Sequence, residues 1–66
     1  MNVIINGEAQ AVPEGLTLAE LVRGRMRTEK GVAAAVDGAV APRSTWTDVV
    51  LHDGAAIELL TAVQGG

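Results

Sequence analysis

The sequence has no cysteine, no phenylalanine and no tyrosine, and only one tryptophan and one histidine among its 66 residues. Each shortage closes off some chemistry. Without a thiol there is no disulfide, no thiolate metal site, no cysteine nucleophile and no place for a persulfide. A single histidine, His52, is too few for a histidine-based metal site. With one aromatic side chain the core must be aliphatic, and a chain this short buries only about 60% of the surface it exposes when unfolded. It forms one domain, without room for a large internal ligand cavity. Cations are also few. Five Lys and Arg stand against eight Asp and Glu, a net charge of −3, which disfavours nucleic acid and favours a partner with a basic surface. No run is long enough to cross a membrane. The opening "MNVIING" lacks the basic segment of a signal peptide, so the expected location is the cytoplasm.

What is present is well patterned. Val3, Ile4 and Ile5 are contiguous, the pattern of a central strand covered on both faces. Asn6-Gly7 tolerates the positive φ angles of a type I′ turn, and Glu8 to Val12 returns as a second strand. In "LTLAELV", Thr17 is placed as a helix N-cap with Glu20 three residues on, a capping box, and Leu16 and Leu21 form a hydrophobic staple. Leu18, Leu21, Val22 and Met26 make one apolar stripe, and Gly24 marks the last turn. Val32 to Val36 and Ala39 to Ala41 flank a second turn signal, Asp37-Gly38. After Pro42, "RSTWTDV" predicts a short helical turn with Ser44 and Thr45 as possible caps. Asp53-Gly54 makes another turn, and Ala56 to Val63 is the last strand. Its Ile57, Leu59 and Thr61 share one face, and Glu58, Leu60 and Ala62 the other.

The most apolar strands, the first and the last, belong side by side at the sheet centre. One amphipathic helix must then cover one sheet face. This predicts an α+β fold of the β-grasp, ubiquitin-like type. A mixed sheet of four to five strands carries one main helix on one face. Residues 1–63 form the domain and 64–66 a flexible tail ending on Gly65 and Gly66.

Nothing in the chain assembles a catalytic set. There is no GxxxxGK[ST] loop for phosphates, and "GRMRTEKG" reads as a solvated helix end and loop. His52 beside Asp53 looks like a dyad but is more simply a pair of exposed turn residues. Asp48, Asp53 and Glu58 fit no Ca²⁺ loop. Trp46 reads as a packing anchor, Arg43 faces either nearby carbonyls or a partner, and Ile4, Leu60 and Ala62 are candidates for an exposed apolar patch. The reactive candidate is the tail itself. Residues 64–66 extend ~10 Å, and glycine, lacking Cβ, passes through a narrow channel. A carboxylate at Gly66 becomes an electrophile once it is adenylated, and a sulfur or amine nucleophile can then displace AMP.

These residues carry a resemblance. "MNVIINGE", "LTLAELV", "VDGAVAPRSTW" and "LHDGAAIELLTAVQGG" resemble the ThiS family, bacterial sulfur carriers of thiamine biosynthesis, along nearly the whole chain. The resemblance implies a carrier rather than an enzyme, with no stably bound cofactor. Gly66 would be adenylated from ATP, with Mg²⁺ on the partner, by a ThiF-type adenylyltransferase. Sulfur from a cysteine desulfurase or related donor would leave a thiocarboxylate at Gly66, for delivery to a ThiG-type thiazole synthase. Two features depart from the family pattern. Ala55 follows Asp53-Gly54 where an acidic residue is usual, which would alter docking, and "RGRMRTEKG" is short. Competing readings are the small subunit of molybdopterin synthase, a ubiquitin-like modifier, and a binding module with inert glycines.

Overall fold

The structure is a computed structural model that describes residues 1–61. Five strands and one α-helix follow in order: β1 (Asn2–Ile5), β2 (Glu8–Ala11), α1 (Leu18–Arg25), β3 (Val32–Val36), β4 (Ala39–Ala41) and β5 (Ala56–Thr61), with a 3-10 helix at Arg43–Asp48. The strands form one sheet in the order β2-β1-β5-β3-β4. β1 and β5 pair in parallel, with Ile4 opposite Ala56 and Ile5 opposite Ile57, and the remaining pairs are antiparallel. A parallel pair needs a long connection between its strands. Here that connection carries the helix and the second hairpin.

Both hairpins turn as their sequences demand. Asn6 and Gly7 have φ of 50° and 85°, and Asp37 and Gly38 have 52° and 84°. Two successive positive φ angles match the right-handed twist of the strands. β1 therefore stops at Ile5, before Asn6, and β2 at Ala11. The backbone N–H of Val12 still donates to Met1 O at 2.8 Å.

Thr17 caps α1 as its sequence implies. The Glu20 N–H donates to Thr17 Oγ1 at 3.2 Å and the Thr17 N–H to Glu20 Oε1 at 2.9 Å, so the box is closed from both sides. These bonds hold the Glu20 carboxyl below its ordinary range, the Thr17 backbone N–H first among the causes. A backbone strap adds to the cap. The Leu18 N–H donates to Val49 O at 2.8 Å and the Leu51 N–H to Leu16 O at 2.9 Å, which satisfies a helix N–H that has no intrahelical acceptor.

The helix buries Leu18, Ala19, Leu21 and Val22 against Val3, Ile5, Ala34, Ile57 and Leu59 of the sheet, with Trp46, Leu51 and Ala55 completing the core. Trp46 is a packing anchor. It is 1% exposed, and its Nε1–H donates to Ala41 O at 2.7 Å, so its one polar atom is satisfied as a buried indole requires. Gly24 lies in the last helical turn, and Met26 leaves the helix in an extended conformation.

Three expectations are corrected. Ile4 is 41% exposed. The apolar run Val3-Ile4-Ile5 is thus a strand buried on one face, because the single helix covers only that face. Ser44 and Thr45 do not cap the 3-10 helix. Pro42 holds the N-cap position without a side-chain bond, and the Thr45 hydroxyl donates backward to Pro42 O at 2.7 Å. Ala55 is fully buried, so the missing acidic residue there leaves a methyl in the core and takes nothing from an exposed docking face.

Candidate functional site

Gly65 and Gly66 lie outside the described residues, as do Ala62 and Val63 at the end of the predicted last strand. The structure shows what precedes them. β5 is the central strand, with β1 on one side and β3 on the other. Thr61, its last described residue, stands opposite Val32. Both edges of β5 are paired at Ala56 and Ile57, whereas Leu60 and Thr61 pair with β3 alone.

Two side chains reinforce this hold, each from a hairpin turn. Asn6 Oδ1 accepts the Leu59 N–H at 2.9 Å, and Asn6 Nδ2 donates to Leu59 O at 3.3 Å. Asp37 Oδ1 accepts the Ala56 N–H at 3.0 Å, and the Asp37 N–H donates to Ala56 O at 2.8 Å. The turns of both hairpins are therefore stitched to β5. Sequence reading found the turns but not the stitches, because Asn6 is 53 positions from Leu59 and only the parallel β1–β5 register brings them together.

His52 is exposed, and it pairs with Asp37 rather than with the side chain of Asp53. Its Nε2 lies 2.6 Å from Asp37 Oδ2 and its Nδ1 lies 2.9 Å from Asp53 O. Both neighbours only accept, so the imidazolium, with two N–H groups, is the form that satisfies both. The Asp37 contact is the main cause that raises His52 above its ordinary value of 6.5, with the Asp53 carbonyl second. Asp37 is held below its ordinary 3.8, first by the Ala56 N–H and then by His52. Asp37 thus bonds a backbone amide and the imidazole, and both ring nitrogens of His52 are taken by acceptors. Asp53 is engaged elsewhere, its Oδ1 accepting the Asn2 N–H at 2.8 Å. Among the described residues no three His, Asp or Glu side chains converge on a point where a metal ion could bind.

The sheet face opposite the helix is open. Ile4 and Leu60 stand on it, Leu60 at 67% exposed and Val40 beside them at 80%. The register sets small residues around them, Ala9 opposite Ile4, Ala33 opposite Leu60 and Ala35 opposite both Glu58 and Val40. The described residues of this face are mainly apolar, with Glu58 exposed among them. Sequence alternation had placed Ile4 and Leu60 in such a patch. Val40 was missed, because β4 is too short to show a period.

No helix of the described residues is long and apolar enough to cross a membrane.

A five-stranded mixed sheet with its first and last strands parallel at the centre, and one helix across a single face, defines a β-grasp protein. A model of the ThiS family matches residues 3–66, and the chain belongs to that family. It is 29% identical over 66 residues to the sulfur carrier protein ThiS of Escherichia coli, covering 100% of both chains. Two solved structures of a thiamine biosynthesis protein from Geobacter metallireducens are similar to it at 29% identity. The crystal structure, of ThiS, has a TM-score of 0.85 with 100% of both chains covered. The solution structure has a TM-score of 0.82, with 100% of this chain and 88% of that one covered.

Proposed function

We infer that this protein is a sulfur carrier of thiamine biosynthesis, a substrate on which partner enzymes act rather than an enzyme itself. The observation that carries the reading is the family match, which runs from the first strand through Gly66. The fold supports it. A carrier must hold its reactive end away from its body and present a surface to more than one enzyme, and β5 leads toward that end from the centre of the sheet, beside an exposed apolar face.

In this reading the Gly66 carboxylate oxygen attacks the α-phosphorus of ATP in the active site of a ThiF-type adenylyltransferase. Pyrophosphate leaves, and the acyl-adenylate remains. ATP and Mg²⁺ belong to that enzyme, and the carrier binds no cofactor stably. A persulfide, supplied by a cysteine desulfurase or a related donor, adds through its outer sulfur to the Gly66 carbonyl carbon and expels AMP, and a thiol then cleaves the resulting acyl disulfide, leaving a thiocarboxylate on Gly66 and a disulfide on the donor side. A ThiG-type thiazole synthase then takes the sulfur. Gly65 and Gly66 act through their size, since two residues without Cβ can enter a channel closed to others. The chain has no cysteine to carry sulfur as a persulfide, which favours the Gly66 carboxyl as the group that carries it. Ile4 and Leu60 supply the apolar contact on which the partners dock, as exposed apolar patches commonly do.

Intact mass spectrometry tests the chemistry. Incubation with a ThiF-type enzyme, ATP and a sulfur donor should exchange one oxygen for sulfur, mapped to Gly66. A chain extended by one residue beyond Gly66 should take no sulfur. Unchanged mass in the native chain under conditions where a known carrier is loaded would refute the reading. Loss of molybdoenzyme activity without a thiamine requirement in a deletion strain would point to molybdopterin synthesis instead.

A further inference from the structure

All five Lys and Arg residues fall between positions 23 and 43. Only Glu29 and Asp37 lie among them, and the other six carboxylates are elsewhere in the chain. The fold sharpens this segregation. Arg23, Arg27, Lys30 and Arg43 line one shallow depression of about 490 Å³ together with Thr28 and Glu29. Arg43 arrives from the start of the 3-10 helix, which packs on α1. Glu29 is taken by Arg23, Nε to Oε2 at 3.2 Å. Arg27, Lys30 and Arg43 are exposed and make no ion pair among the described residues.

The position of this cluster gives it meaning. Lys30 and Gly31 lead directly into β3, whose first residue, Val32, stands opposite Thr61. The cationic loop therefore borders the point at which β5 hands over to residues 62–66. A protein of net charge −3 thus gathers four of its five cationic side chains in one depression, beside the loop that leads into the strand opposite Thr61.

We propose that Arg27, Lys30 and Arg43 form an electrostatic docking collar that meets carboxylates on the rim of the partner channel receiving the tail. The proposal rests on the carrier reading above. Two features favour a protein surface over a small anion. The depression is open, and none of its cationic side chains is buried, so nothing encloses a phosphate. In addition, residues 62–66 span at most ~17 Å. When Gly66 is inserted for adenylation, that short span keeps the collar against the mouth of the channel. Opposed charges at an interface rim mainly raise the association rate and fix orientation. That suits a carrier that must bind, react and leave.

The test is steady-state adenylation, read as pyrophosphate release, by the ThiF-type enzyme of the same organism. It compares the native chain with the triple variant Arg27→Glu, Lys30→Glu and Arg43→Glu. The variant should show KM raised about tenfold with kcat unchanged, in line with loss of rim steering. Native KM should rise with salt, and the two proteins should converge near 1 M salt, where the screening length falls to about 3 Å. Convergence separates a lost charge contact from a damaged fold, as does a matching urea midpoint. A variant with native KM and native salt dependence overturns the collar alone. A variant still impaired at high salt also overturns it, because the defect is then not electrostatic. A native chain that is not adenylated at all overturns the carrier reading and the collar with it.

Discussion

The two hairpins of this protein use the same turn and differ in one atom type. Asn6-Gly7 and Asp37-Gly38 adopt nearly equal pairs of positive φ angles, and each turn residue reaches across to the central strand. Asn6 binds both the N–H and the carbonyl of Leu59. Asp37 accepts the N–H of Ala56 with one oxygen and holds His52 with the other. An amide donates and accepts at any ordinary pH. A carboxylate accepts only, and its partners change with protonation. One stitch is therefore indifferent to pH and the other is conditional, although the backbone geometry is shared.

Breaking the pH-indifferent stitch should have the larger effect. Asn6→Ala removes two hydrogen bonds, each contributing roughly 0.5–1.5 kcal/mol net, and puts alanine at a φ that costs about 1–2 kcal/mol. A loss of about 2–5 kcal/mol is expected, read from urea unfolding. A loss under 1 kcal/mol would mean that the parallel pair is held by the ladder alone.

Next in size come the paired glycines. Gly7→Ala and Gly38→Ala each force a side chain into the left-handed region, at about 1–2 kcal/mol. A new Cβ would meet nothing within 4 Å at either site, so the two losses should be equal. Clearly unequal values would show that the turns are not equivalent after all.

The smallest effect distinguishes the stitches most sharply. The His52 imidazolium is favoured in the folded chain, so its contribution is complete below the ordinary value of 6.5 and is lost as pH rises through the raised folded value. Asp37 is depressed, so its contribution is present above the ordinary 3.8 and is lost as pH falls through the lower folded value. The pair is at full strength between these limits. Asp37→Asn keeps an acceptor for the Ala56 N–H and should abolish this pH dependence, with little change in stability once pH exceeds the raised His52 value. Both groups are exposed, so the amplitude is small. Melting curves from pH 4 to 9 on the native chain, Asp37→Asn and His52→Gln should show a stability that falls as pH rises above 6.5 only in the native protein.

Local signals were legible in the sequence wherever the cause was local. Asn-Gly and Asp-Gly demand positive φ within two residues, Thr17 finds Glu20 within one turn, and Trp46 had to be buried because no other large aromatic could be. The legible part of the site was the apolar pair Ile4 and Leu60. The collar was not legible. "GRMRTEKG" reads as solvent-facing charge, and Arg43 joins it only because the 3-10 helix packs on α1. The run at Val3 to Ile5 misled for a related reason. Contiguous apolar residues say that a strand is wanted by two surfaces, and one of those surfaces is here left open.

By itself, then, the order of residues determined the turns, the capped helix, the aliphatic core and the absence of any thiol to carry sulfur, because each depends on atoms a few bonds apart or on composition alone. The tertiary structure decided which charges share a surface, which turn residues grip β5, and which apolar face stays exposed. Those depend on the register of β1 against β5, and a register between strands some fifty residues apart is set by packing across the whole domain.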